Sequence, residues 1–203
     1  MSSVAMFSQS ADAFLGVVSR IRNDQWTEPG LGVWDVRGLA GHTARAILTT
    51  EQYLQQDEPG QVSIPDAETY YTAIYEQLAA DDEAIARRGV EAGVWLGDDP
   101  VSQIAAALGR TRALIDAAPQ NRLVSIGGMG IALHDYLRTR VFELVVHTMD
   151  LSRATGIPHN LPLHAIADAA ALAAGTLVVR GHGEELLRGL TGREPLPPGL
   201  SMV

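Results

Sequence analysis

The sequence predicts an all-α fold built as a helical bundle, and three observations carry that prediction. Apolar residues recur at three- and four-residue intervals in six separate segments, the spacing of helices with one inward face. Aromatic residues make up only 5% of the chain while alanine and leucine are abundant, a balance that disfavours strands. The segments are joined by short stretches rich in proline and glycine, and no strand signature stands between them.

The elements follow in order. Residues from about Ser3 to Asn23 place Val4, Phe7, Ala11, Phe14, Leu15, Val18 and Ile21 on one helical face. Pro29 and Gly30 break the chain. A second helix is expected from about Val36 to Gln56, with Asp35 as its N-cap. Residues 58–65, carrying Pro59 and Pro65, read as a loop. A third helix is expected from about Asp66 to Gly89, and residues 91–99 as loop. Pro100 suits the first position of a fourth helix, which ends near Ala118 before Pro119. Residues 120–130, with Gly127, Gly128 and Gly130, read as a flexible connection. The fifth helix runs from about Ile131 to Thr155 and stops at Gly156 and Pro158. A sixth follows Pro162 to about Leu190, with an interruption signalled at Gly181–Gly183. One domain is expected over residues 1–192, followed by an irregular proline-rich tail over residues 193–203.

Composition narrows the function. With 203 residues, of which 46% are hydrophobic, the chain can bury a continuous core. The formal net charge of −9 comes from 15 basic and 24 acidic residues, and the arginines are dispersed, so nucleic acid is not an expected partner. Without cysteine there is no disulfide; any metal must take nitrogen and oxygen ligands, and any thiol chemistry needs a thiol from outside. The N-terminus lacks the pattern of a signal peptide, and no apolar run spans a bilayer; a cytoplasmic protein without membrane contact is expected.

The fifth helix is the informative one. At about 100° per residue, Tyr136, Thr139, Arg140, Glu143, His147 and Asp150 share one stripe of an otherwise apolar helix. A buried carboxylate costs several kcal/mol unless paired, protonated or metal-bound. Glu143 and His147, at i and i+4, lie one turn apart and can share one cation. His42 is the best third ligand: it sits one turn from Leu39 and Ala46, and Gly38, Gly41 and Ala44 around it permit close approach of another helix. Three protein ligands leave a coordination position for water or substrate, as in catalytic rather than structural sites. The plain alternative is that Glu143 pairs with Arg140 and that His147 and His42 are ordinary core histidines.

Other candidates are weaker. His134 lies about half a turn from Glu143, and His159, His164 and His182 fall near helix ends or glycine-rich turns, so solvent is their expected environment. The Gly127–Gly130 run lacks the lysine and preceding strand of a phosphate loop, though it suits a rim over the site. Ser125 and Ser152 lack a hydrolase glycine elbow, and Trp26, Trp34 and Trp95 read as packing residues.

Two segments carry a resemblance. Trp34-Asp35-Val36-Arg37-Gly38-Leu39-Ala40-Gly41-His42 and Asp135-Tyr136-Leu137-Arg138-Thr139-Arg140-Val141-Phe142-Glu143-Leu144-Val145-Val146-His147-Thr148-Met149-Asp150-Leu151 resemble the two signatures of the mycothiol-dependent maleylpyruvate isomerase N-terminal domain family. The likeness covers about residues 5–190. It implies a DinB-like four-helix bundle with additional short helices. It also implies metal ligands at His42, Glu143 and His147, with Arg140 and Asp150 as polar groups of the catalytic site beside the metal. The implied cofactors are a divalent ion, zinc first and nickel, manganese or iron next, and a low-molecular-weight thiol such as mycothiol as cosubstrate. Maleylpyruvate isomerases continue into a second domain that supplies an arginine for substrate carboxylates. Because the sequence ends at Val203, maleylpyruvate itself is not the expected substrate.

The function expected is therefore a metal-dependent enzyme, a thiol S-transferase or isomerase acting on an electrophilic small molecule. Two alternatives stand beside it. One is metal-assisted hydrolysis, in which water brought to a pKa of about 7 attacks and Asp150 is the nearest base. The other is a non-enzymatic helical metal-binding module. Apolar helix faces leave room for a homodimer without specifying one.

Overall fold

The computed structural model describes residues 1–78 and 82–202. Its long elements are helices: α1 (Ser3–Val18), α2 (Val36–Leu54), α3 (Ala67–Leu78), α4 (Asp82–Trp95), α5 (Pro100–Ala117), α6 (Leu133–Thr155), α7 (Leu163–Val179) and α8 (Gly183–Leu190). Two small antiparallel hairpins complete it, β1 (Pro29–Leu31) with β2 (Trp34–Asp35), and β3 (Leu123–Ile126) with β4 (Met129–Ala132). The all-α bundle is thus present. None of the described helices is long and apolar enough to cross a membrane.

Helices α1, α2, α5 and α6 pack as a four-helix core: α6 lies against α1 and α2, and α5 closes the ring between them. Phe7, Phe14, Leu39, Ile47, Leu108 and Leu144 are fully buried there. Each such side chain stabilises the fold by about 1.5–3 kcal/mol. The apolar spacing within each helix is what turns these groups to a common centre. Helix α4 is laid along α2, and α7 covers α6 and α3.

The ends of the helices follow local chemistry. The Asp35 carboxylate accepts from the Gly38 N–H at 2.7 Å and starts α2, while Asp99 accepts from the Ser102 N–H at 3.1 Å ahead of Pro100 and starts α5. Gly156, at φ 70°, ends α6 in the left-handed conformation that a side chain would strain. Gly181, at φ 89°, separates α7 from α8, so the expected interruption is a full break.

Four boundaries differ from expectation. Helix α1 ends at Val18 rather than near Asn23, and Asn23–Thr27 forms a separate short 3-10 turn. Residues 91–95 belong to α4 rather than to a loop, because Gly89 and Gly93 do not stop that helix. A Cβ at Gly41 would overlap the backbone of Ala92 and Gly93, and one at Gly89 would overlap the Trp34 ring. These glycines are small so that α4 can touch α2. The span expected as one third helix holds both α3 and the start of α4, and residues 79–81 between them lie outside the described residues. Finally, residues 120–130 are not a flexible connection. Leu123–Ile126 pair in register with Met129–Ala132 across Gly127 and Gly128, both at positive φ, the backbone a tight hairpin needs. Val124, Ile126 and Ile131 bury their side chains and pin it.

Candidate functional site

The polar stripe of α6 faces α2 and opens on a cavity of 430 Å³. His42 enters from α2, and Glu143 and His147 from α6. One ligand atom from each lies within 4.8 Å of the other two, so the three residues form a group that could hold a metal ion. Ligands about 2.1 Å from one tetrahedral zinc stand roughly 3.4 Å apart, so small side-chain rotations bring this set to bonding distance.

Each donor is held from behind. His147 Nε2 lies 3.2 Å from Glu143 Oε2, and its Nδ1 lies 3.3 Å from Asp150 Oδ2. One nitrogen thus faces the cluster while a carboxylate orients the other, the arrangement common to metal-binding histidines. The Tyr71 hydroxyl on α3 donates to Glu143 Oε1 at 2.9 Å. His42 stacks on Trp34, ring centroids 4.3 Å apart, and meets the His147 ring edge-on at 4.8 Å. Its Nδ1 is buried with no hydrogen-bond partner among the described residues. A buried, unpartnered imidazole nitrogen beside a carboxylate and a second imidazole fits a divalent cation, since the donor set is the two-histidine, one-glutamate set of catalytic zinc.

The electrostatics agree with that fit. Burial and the neighbouring His147 charge hold the His42 pKa down at about 3, so His42 is neutral and able to bind metal. Burial alone would raise the Glu143 pKa, but the hydrogen bond from His147 and the charge of Arg140 bring it to about 2. Burial would likewise push His147 down, yet its hydrogen bonds to Asp150 and Glu143 carry it up to about 9. Without a metal, His147 is the cation that neutralises Glu143.

Arg140 does not pair with Glu143; no ion pair joins them among the described residues. Its guanidinium donates to Thr139 Oγ1 at 3.1 Å and to the Tyr70 hydroxyl at 3.2 Å, and lies 4.9 Å from the Tyr136 ring centre. Arg140 lines the cavity, whereas Asp150 sits behind His147 and does not. His134 is exposed beside Asp135, while His164 is half-buried with its Nε2 unpartnered among the described residues, so only the first of these is solvated as expected. No residue of the β3–β4 hairpin lines the cavity, so the hairpin is not its rim.

Sequence reasoning did not reach Tyr70, Tyr71, Arg45 and Arg88, all of which line the cavity, and it read Trp34 as packing alone. Arg45 lies three residues after His42, on the same face of α2, a signal that helical spacing offers. Tyr71 and Arg88 come from α3 and α4, whose approach no spacing encodes.

The family model for the mycothiol maleylpyruvate isomerase N-terminal domain matches residues 7–152. The chain belongs to this family. The match includes His42, Glu143 and His147 together with α2 to α5 and most of α1 and α6. No curated protein and no solved structure matches significantly. The family description relates the domain to mycothiol and isomerase chemistry, and the group of His42, Glu143 and His147 is the one place among the described residues where three such donors gather for a metal.

Proposed function

We propose that the protein is a metal-dependent enzyme that uses a low-molecular-weight thiol of the mycothiol kind to transfer to, or isomerise, an electrophilic small molecule. The observation that carries this reading is the convergence of His42, Glu143 and His147 from two helices at the wall of one cavity. A divalent ion held there, zinc by its donor set, supplies Lewis acidity and lowers the pKa of a thiol.

The chain's own residues have separate tasks. Asp150 keeps a proton on His147 Nδ1 and so leaves Nε2 free to bind. Tyr71 fixes one oxygen of Glu143, and the Arg140 charge keeps that carboxylate ionised. Phe142, Val146 and Ile74 give the cavity apolar walls that exclude water. Since the chain has no cysteine, the thiol must arrive as a second small molecule. The position of Asp150 behind His147 suits orientation better than base catalysis, which favours thiol chemistry over hydrolysis.

Isothermal titration with zinc, then with mycothiol on the loaded protein, tests the reading. One zinc per chain is expected, with binding at least about a hundredfold weaker in His147→Ala and the thiol binding only after zinc. A wild type that binds no metal, or a variant that binds it equally well, contradicts it.

A further inference from the structure

Among the described residues that line the cavity, three are arginines, one from each of three helices: Arg45 on α2, Arg88 on α4 and Arg140 on α6. Among the described residues the only carboxylate on the same wall is Glu143, and both its oxygens are engaged, Oε1 by Tyr71 and Oε2 by His147. Arg140 is held by Thr139 and Tyr70. Arg45 and Arg88 are different. Among the described residues neither guanidinium has a hydrogen-bond or ion-pair partner, in a chain where acidic residues outnumber basic ones by 24 to 15. Arg45 is half-buried, and the Arg88 charge is among the groups that oppose its own. Two cations lining one cavity, neither paired with an anion among the described residues, is an arrangement that folding alone does not favour.

We propose that Arg45 and Arg88 form an anion subsite that binds the carboxylate of the substrate, while its electrophilic body lies along Ile74, Phe142 and Val146 toward His42 and His147. Guanidinium groups match planar oxyanions through paired N–H donors, which a lysine would not. A cavity of 430 Å³ lies in the range of small-molecule sites and suits a short acid with an apolar body. The subsite deepens the enzymatic reading and rests on it only in calling the anion a substrate. The recognising residues belong to the helical bundle itself.

The test is calorimetric titration of acetate, succinate and inorganic phosphate into the full chain, metal-free and zinc-loaded. Succinate should bind the metal-free wild type, more tightly than acetate and phosphate, and binding should weaken with added salt. Arg45→Gln and Arg88→Gln should each weaken it at least about tenfold, as expected for losing a charged hydrogen-bond partner. Arg153→Gln, at an exposed position outside the cavity, should leave it unchanged. Thermal melts establish that each variant is folded; if Arg45→Gln is not, Arg88→Gln decides alone. Phosphate binding better than either carboxylate overturns the choice of carboxylate. Equal binding by the arginine variants, binding only in the zinc-loaded form, or no binding at all overturns the subsite. Because the metal-free arm needs no zinc, failure of the metal reading and failure of the subsite are separate results.

Discussion

Helix α6 carries two polar clusters at nearly equal depth. Toward its N-terminal end, Arg138 meets Glu68 at 2.9 Å and Asp168 at 3.5 Å, with side-chain exposures of 23%, 27% and 21%. One turn on, Glu143 and His147 are exposed by 20% and 15%. Burial therefore does not distinguish them; charge balance and space do. Every member of the Arg138 cluster has an opposite charge in reach, and none lines the cavity. Among the described residues, the Glu143 cluster places two carboxylates, Glu143 and Asp150 behind His147, among His42, His147 and three arginines, at the edge of an open volume. The first cluster ties α3 and α7 to α6. The second holds more cationic and ligating groups than the fold needs, which marks it as the place for a ligand.

The largest difference between the clusters should appear in metal binding. His147→Ala removes one of three donors and should lower zinc affinity by at least about a hundredfold, since even orienting partners are worth ten- to a hundredfold. Arg138→Met should leave zinc affinity unchanged, yet lower the unfolding free energy in urea by about 2 kcal/mol, between the values for surface and buried pairs. If Arg138→Met weakened zinc binding as much as His147→Ala, the distinction would fail. Asp150→Asn, which keeps the shape but weakens the hold on His147 Nδ1, should cost zinc affinity about tenfold.

Proton linkage gives a smaller effect with a defined sign. In the metal-free protein His147 titrates near 9, above its ordinary 6.5, so its contribution to stability is full below pH 6.5 and fades as pH rises through about 9. Zinc must displace that proton. Its apparent affinity should climb with pH up to about 9, with roughly one proton released per ion, readable from titrations in buffers of different ionisation enthalpy. A pH-independent affinity between 6.5 and 9 would mean that His147 is not a ligand.

Much of this contrast was legible in the sequence because it is written along one helix. Glu143 and His147 stand one turn apart on a helix apolar nearly everywhere else, and the bundle follows from the same periodicity. His42 was legible through its motif and its small neighbours, which do meet another helix, α4. The partners from other helices were not. Tyr71 and Arg88 reach the cavity through the packing of α3 and α4, a tertiary relation with no trace in local spacing. The glycines misled in two ways. Gly89 and Gly93 looked like stops but provide the close contact between α4, Trp34 and α2. The pair Gly127–Gly128 looked like slack but forms a tight turn; each strand has only four residues, and the second, buried at Met129, Gly130 and Ile131 in succession, does not alternate.

X-ray absorption at the zinc edge of the loaded protein tests the central claim most directly. The account predicts two imidazole nitrogens at about 2.0–2.1 Å and oxygen for the rest, with one imidazole lost in His42→Ala. A coordination sphere without histidine, or one that His42→Ala leaves intact, would contradict it.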